Sequence, residues 1–227
     1  MKTSKIIFIS LLGAITLGIL SAFVNITIRA HHHPVMTVNK QPLPPFKVIY
    51  INNCRFNLEQ NDSSFIETKF PKNAVPPNPD YKMKGDTLVI SGFYQTQGRE
   101  SYPSIKIIST DSLKTIILKN SDITIKRLQS PKLYMEIDNS YVWFNQDSVK
   151  IASFMDLEIS AKNHSNINAS SFKIETISIN LQKSNADLAI LAGKINGTVS
   201  DSSSVSIHVS GEISLKADRT STLRINE

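Results

Sequence analysis

The sequence predicts an all-β protein, a single-stranded β-helix or solenoid with coils of about 20 residues, preceded by an N-terminal transmembrane helix. Three observations predict the solenoid. From Leu113 to Ile225 one phrase keeps returning: an aliphatic residue, a variable residue, a short Asn/Asp/Ser cluster, then another aliphatic. It reads Leu118-Lys119-Asn120-Ser121-Asp122-Ile123 and Ile137-Asp138-Asn139-Ser140-Tyr141-Val142, with looser copies at Ala161–Ile167, Leu181–Leu188, Val199–Val205 and Leu215–Leu223. The starts lie 19, 24, 20, 18 and 16 residues apart, the repeat length of a solenoid. Second, the runs between these clusters are short and β-branched, which disfavours helix. Third, no proline follows Pro131, so backbone ladders can run without a missing donor.

Taken in order, the chain begins with a basic stub, residues 1–5. Residues 6–28 then carry no charge. As a helix that run spans about 35 Å, enough to cross a bilayer. Cleavage after Ser21 or Ala22 would put Ile19 or Leu20 three residues before the cut, a poor site. The expectation is therefore an uncleaved signal-anchor at 6–28, with the N-terminus cytoplasmic and the rest extracytoplasmic, in the periplasm or at the cell surface. Residues 29–45 hold Pro34, Pro42, Pro44 and Pro45 and read as an extended linker. His31-His32-His33 falls here and reads as a polar stretch, with no metal assigned to it.

The domain proper is expected at 46–227, with opening strands and long loops over 46–112 and regular coils over 113–227. Val48–Ile51 and Phe56–Glu59 flank the turn-prone pair Asn52-Asn53. Tyr81–Ile90 reads as a hairpin turning at Gly85-Asp86. The loops at 71–79 and 92–103 are long enough to carry function.

Phe46-Lys-Val-Ile-Tyr-Ile51, Phe56-Asn-Leu-Glu-Gln60 and Gly85-Asp-Thr-Leu-Val-Ile90 together resemble the opening of the bacterial head GIN domain family. That family comprises secreted or envelope proteins regarded as candidate auto-transporter adhesins. The resemblance runs from about Phe46 to the C-terminus. It implies a β-helical body and a surface location, and it supplies no catalytic residues. This chain departs from the family pattern in having no glycine between Gly98 and Gly193; Ser and Asn stand at those turns.

Within the repeat, alternation points one side of each strand inward and the other to water. Asn120, Asn139 and Asn163, with Asp201 in the equivalent place, fall at the turn of each coil. Asn tolerates the left-handed backbone a tight corner requires, and its amide can bond the next coil. The same column could instead present amides to sugar hydroxyls. Lys216, Asp218, Arg219, Arg224 and Glu227 set charges along the last coil, a pattern that resists edge pairing.

Composition narrows the function. Hydrophobic residues make up 41% and the net charge is +6. Three of the basic residues, Lys2, Lys5 and Arg29, lie in an N-terminal stretch without acids. The balanced remainder has no nucleic-acid footprint. The one cysteine, Cys54, can make neither an intrachain disulfide nor a metal site by itself. No phosphate loop, His-Glu-x-x-His or Gly-x-Ser-x-Gly occurs. The closest acid pairs of the repeat, Glu136/Asp138 and Asp156/Glu158, alternate with Ile137 and Leu157 as in any half-buried strand. The sequence therefore points to no catalytic, cofactor-binding or metal-binding residues. The leading reading is a membrane-tethered, non-enzymatic adhesion or binding module of the bacterial cell envelope. Its partners would be the membrane through 6–28, and a glycan or an envelope protein. The alternatives are a polysaccharide-acting β-helix enzyme and an envelope-sensing or scaffold protein.

Overall fold

The computed structural model of the chain describes residues 13–22, 35–72, 80–93, 104–109, 113–145, 153–208 and 211–226. The chain divides into two units, Met1–Met36 and Thr37–Glu227. In the first, residues 13–22 form a helix with every side chain exposed. Among the described residues no helix is long and apolar enough to cross a membrane; the rest of the expected 6–28 span lies outside them, as do His31–His33.

The second unit is an all-β solenoid of about five turns with coils of about 20 residues. The described residues form sixteen strands: β1 (Met36–Pro42), β2 (Val48–Gln60), β3 (Phe65–Pro71), β4 (Asp80–Lys84), β5 (Thr87–Phe93), β6 (Ser104–Ser109), β7 (Thr115–Lys119), β8 (Asp122–Lys126), β9 (Gln129–Asp138), β10 (Tyr141–Phe144), β11 (Ser153–Lys162), β12 (Asn166–Gln182), β13 (Asn185–Ser200), β14 (Ser204–His208), β15 (Glu212–Ala217) and β16 (Thr222–Asn226). Two parallel faces result. The first stacks β5, β2, β7, β9, β11, β12, β13 and β15, and the second stacks β6, β2, β8, β10, β12, β13, β14 and β16. β2, β12 and β13 contribute to both faces, because the chain turns within or beside them.

Alternation drives this arrangement. On the first face Leu118, Ile137, Ala161, Leu181 and Val199 stand in one register column, each at most 2% exposed. On the second, Ile123, Val142, Ile167, Ala186 and Val205 form the matching column. Each fully buried Ile or Leu contributes about 1.5–3 kcal/mol of transfer free energy. Because the side-chain period is two, a one-residue slip would turn a whole strand's apolar set outward. The expected phrase starts match this column except the last. Val199 pairs with Ala217, whereas Leu215 pairs with Gly197, so the final step is 18 residues. Leu215 and Ala217 share one face of β15, and alternation alone cannot choose between them.

The opening differs from the expected linker. Met36–Pro42 is a strand, β1, beside β3, and Leu43 and Phe46 are buried in the core. β1 ends the sheet path, so Pro42 removes no needed ladder bond there. β4 and β5 form the expected antiparallel hairpin, with Lys84 opposite Thr87 and Gly85 at φ +61°. β3 lies antiparallel to β6. β2 changes face at Asn53, which has φ +56°. Residues 73–79 and 94–103, most of the two loops singled out in the sequence, lie outside the described residues.

Candidate functional site

The corner that carries each coil from the first face to the second is built from two columns of polar residues. Asn53, Asn120, Asn139, Asn163, Lys183 and Asp201 all have positive φ, between 47° and 57°. The expected column of Asn120, Asn139, Asn163 and Asp201 is therefore real, and it also includes Lys183 and Asn53, the latter expected only as part of a turn-prone pair. Its amides bridge coils: Asn139 Nδ2 donates to Asn120 Oδ1 at 2.8 Å, and Asn163 Nδ2 to Asp138 Oδ1 at 2.7 Å.

Beside that column runs a second one, of serines. Ser121, Ser140, Ser165, Ser184 and Ser203 are each no more than 3% exposed. In Ser121, Ser140, Ser165 and Ser203 the hydroxyl serves twice, as donor and as acceptor. Ser140 Oγ donates to Asp138 O at 2.7 Å and accepts the Ser121 N–H at 2.9 Å. Ser121 Oγ donates to Lys119 O at 2.7 Å and accepts the Cys54 N–H at 3.2 Å. Ser203 accepts the Ser184 N–H at 3.1 Å, and Ser221 Oγ the Ser203 N–H at 3.2 Å. The column satisfies buried backbone donors that would otherwise cost the full desolvation penalty. Cys54 occupies the serine place in the β2 coil. At the other end Asp218 accepts the Asp201 and Thr220 N–H groups at 2.8 and 3.0 Å. Its hydrogen bonds, from Asp201 first, then the Ser221 hydroxyl and then Thr220, lower its carboxyl to about 2.

Immediately outside this corner, on the second face, an exposed aromatic pair lies beside a polar groove. Tyr141 and Trp143 point outward from β10, 45% and 37% exposed, with rings stacked at 5.4 Å and 17°. Across the ladder Tyr141 faces Asn166 and Asp122, and Trp143 faces Asn168 and Thr124. Asn185 and Asp187 continue the two rows one coil further on. Tyr141, His164, Asn166, Lys183, Asn185, Asp201 and Ser202 line an open groove of about 460 Å³. Beside it, Asp122 is bound by the Arg55 guanidinium through Nε and Nη2 at 3.0 and 2.7 Å.

The other candidates resolve differently. Glu136 and Asp138 do share an outward face, and Lys162 Nζ lies 3.3 and 3.8 Å from their carboxylates. Lys162 is thus an ion-pair partner, not a free surface cation. Tyr134 beside them is pushed up, by burial first and then by Glu136 and Glu158. Asp156 and Glu158 are exposed on β11. Among the described residues no cluster of His, Cys, Asp and Glu could hold a metal ion. A second open depression of about 550 Å³ lies at the opposite corner, lined by Gln60, Gln129, Phe154, Met155, Lys173 and Glu175. The aromatic pair was legible as a strand in the sequence. Its outward direction follows from the parity of the inward Val142 and Phe144.

No protein-family model matches the chain, and no curated protein matches it. Solved structures do. A candidate lipid-binding protein of Parabacteroides distasonis aligns with a TM-score of 0.53 at 16% identity, covering 84% of this chain and 94% of that one. A candidate adhesin of Bacteroides fragilis aligns with a TM-score of 0.52 at 14% identity, covering 85% and 97%. A candidate adhesin of P. distasonis gives 0.51 at 14% identity, covering 85% and 98%. At such identities the likeness is one of fold: this chain shares the β-solenoid architecture of proteins regarded as adhesins or lipid binders.

Proposed function

We propose that the protein is a membrane-tethered, extracytoplasmic β-solenoid that acts as a non-enzymatic adhesion or binding module of the bacterial cell envelope, of the kind the head GIN domain resemblance implies. The observation that carries this reading is the outer second face. It is a repetitive wall on which an exposed aromatic pair adjoins a polar groove, and the acids beside that pair are engaged separately, Asp122 by the Arg55 guanidinium and Asp201 by the Gln182 amide. A binding surface of this kind needs a rigid scaffold and preset donors and acceptors. A glycosidase would need two carboxylates facing each other across a scissile bond. The tether rests on the uncharged run at 6–28.

Two measurements test the reading. Fluorescently labelled full-length protein should be retained on isolated bacterial envelope fragments or on mucin-coated surfaces, saturably and without product release. Absence of retention on all of them overturns the binding role. Cell fractionation with intact-mass analysis should find the uncleaved chain in the membrane fraction. A mature protein beginning near Ser21 and free of the membrane overturns the tether.

A further inference from the structure

We propose that Tyr141, Trp143, Asn166 and Asn185 form a binding site for a neutral saccharide chain laid across the coils of the second face. The inference rests on the binding-module reading and names its ligand class.

The argument begins with where these side chains are. Tyr141 and Trp143 are exposed, yet they sit in the middle of a strand stack whose cross-strand neighbours are small and polar. No core claims them; their inward neighbours Val142 and Phe144 fill the interior at 1% and 3% exposure. Stacking leaves one ring face of each aromatic turned away from the other, and such faces suit the apolar side of a sugar ring. Asn166 and Asn185 occupy successive coils in register. Each amide offers donors and an acceptor on one plane, the pattern two adjacent hydroxyls require. The coil spacing of about 4.8 Å sets these two amides one step apart, next to Tyr141 in the same row, so two successive sugar units can make the same contact beside the aromatic pair. The corner amides of Asn139 and Asn163 are spent on bonds between coils. Among the described residues, the side chains of Asn166 and Asn185 make no such bond.

Other ligand classes fit the surface less well. Lys183 and Asp201 line the groove with opposite sign, and Arg55 neutralises Asp122 beside it, so nothing concentrates positive charge for a phosphate or a polyanion. A lipid chain needs an apolar cavity, and the interior here is filled by side chains near zero exposure. A peptide adding as a strand needs a free sheet edge, and β10 is paired on both sides by β8 and β12.

Trp143 is the only tryptophan of the chain, so selectively excited tryptophan emission of the full-length protein reports this site alone. Titration with maltohexaose, cellohexaose, mannohexaose and xylohexaose should shift that emission saturably for at least one of them. Tyr141→Ala and the double change Asn166→Ala/Asn185→Ala should each weaken binding by about tenfold or more, with unchanged thermal unfolding. Tyr141→Phe keeps the ring and should retain most of the binding. A heparin hexasaccharide serves as the anionic control. The inference is overturned if no neutral oligosaccharide shifts the emission at millimolar concentration, if only the anionic one does, or if Tyr141→Ala binds like the parent. Periodate separates the two readings. Envelope retention that survives periodate destruction of the sugar diols keeps the binding module and removes the saccharide site.

Discussion

From the last inward residue of the first face to the first of the second, the chain takes five residues at Ile51–Phe56, Leu118–Ile123, Ile137–Val142 and Leu181–Ala186. It takes six at Ala161–Ile167 and Val199–Val205. In both six-residue corners the extra residue, His164 or Ser202, has a second positive φ. The return to the next coil obeys no such rule. It takes fourteen residues from Ile123 to Ile137, nineteen from Val142 to Ala161, thirteen from Ala186 to Val199 and twelve from Val205 to Ala217. The difference has a physical cause. The outbound corner is buried and tied by hydroxyls that satisfy one coil's carbonyl and another coil's N–H, so its length is set by hydrogen bonds and by side-chain parity. On the return side Ser130 is bonded to Leu113 O and Lys132 O in one coil, but the described residues show no repeated column there. A connection whose length already varies from coil to coil absorbs insertions at little cost.

The sharpest way to break this distinction is to change length at each corner. Deleting Asn139 shortens the Ile137–Val142 corner by one and moves the inward set of β10 to the outside. No folded protein is expected, as read by circular dichroism and proteolysis. Inserting Gly-Ser between Arg127 and Leu128, on the return side, should cost less than about 1 kcal/mol in urea unfolding. Equal damage from both would mean that the two corners are equally constrained.

Next in size is the hydroxyl column. Ser140→Ala strands the Ser121 N–H and removes the bond to Asp138 O, so a loss of about 1–3 kcal/mol is expected. Ser130→Ala, on the return side, removes a donor to two carbonyls but leaves no backbone N–H orphaned by the change, and about 1 kcal/mol is expected. A larger loss at Ser130 would reverse the comparison. Lys183 tests the outer column. It holds φ +49° without glycine's freedom or the short polar side chain of Asn, so Lys183→Asn should raise stability by about 0.5–1 kcal/mol. A decrease would show that the lysine stem contributes more through packing than its backbone costs.

Legibility in the sequence followed the same division. The outbound corners were readable because Asn recurs for a backbone reason at a fixed place, and the aliphatic starts at Leu118, Ile137, Ala161, Leu181 and Val199 fell in register. Lys183 hid one corner because its residue type does not advertise a left-handed backbone. Leu215 displaced the last start because size is a poor guide when two residues share a face. β1 was hidden by its terminal Pro42 and the flanking Pro34, Pro44 and Pro45, which argue against a regular element unless the strand is known to be an edge. The serine column was in plain view within the Asn/Asp/Ser cluster, but serine is so common at turns that burial is needed to distinguish it. The aromatic pair required only parity.

The smallest effect is expected at Cys54, where the β2 coil departs from the serine rule. Its N–H still donates to Ser121 Oγ, but its own thiol reaches Arg55 O at a long 3.8 Å. Burial pushes that thiol up to about 12, against a smaller downward pull from the Arg55 backbone. The ionised form is therefore absent near neutral pH, and the native thiol should not react with a disulfide reagent until the coil opens. In Cys54→Ser, a hydroxyl could donate to the carbonyl of Asn52, as Ser121 donates to that of Lys119. A gain of about 1 kcal/mol from that bond offsets the lost burial of sulfur, which is itself a weak hydrophobe. Stability should therefore change by less than about 0.5 kcal/mol, and the thiol signal should vanish with no other consequence. A drop of several kcal/mol would mean that the first coil does not share the corner of the others. Rapid labelling of the native protein would mean that the β2 corner is open to solvent, and that the serine column begins at Ser121 instead of at Cys54.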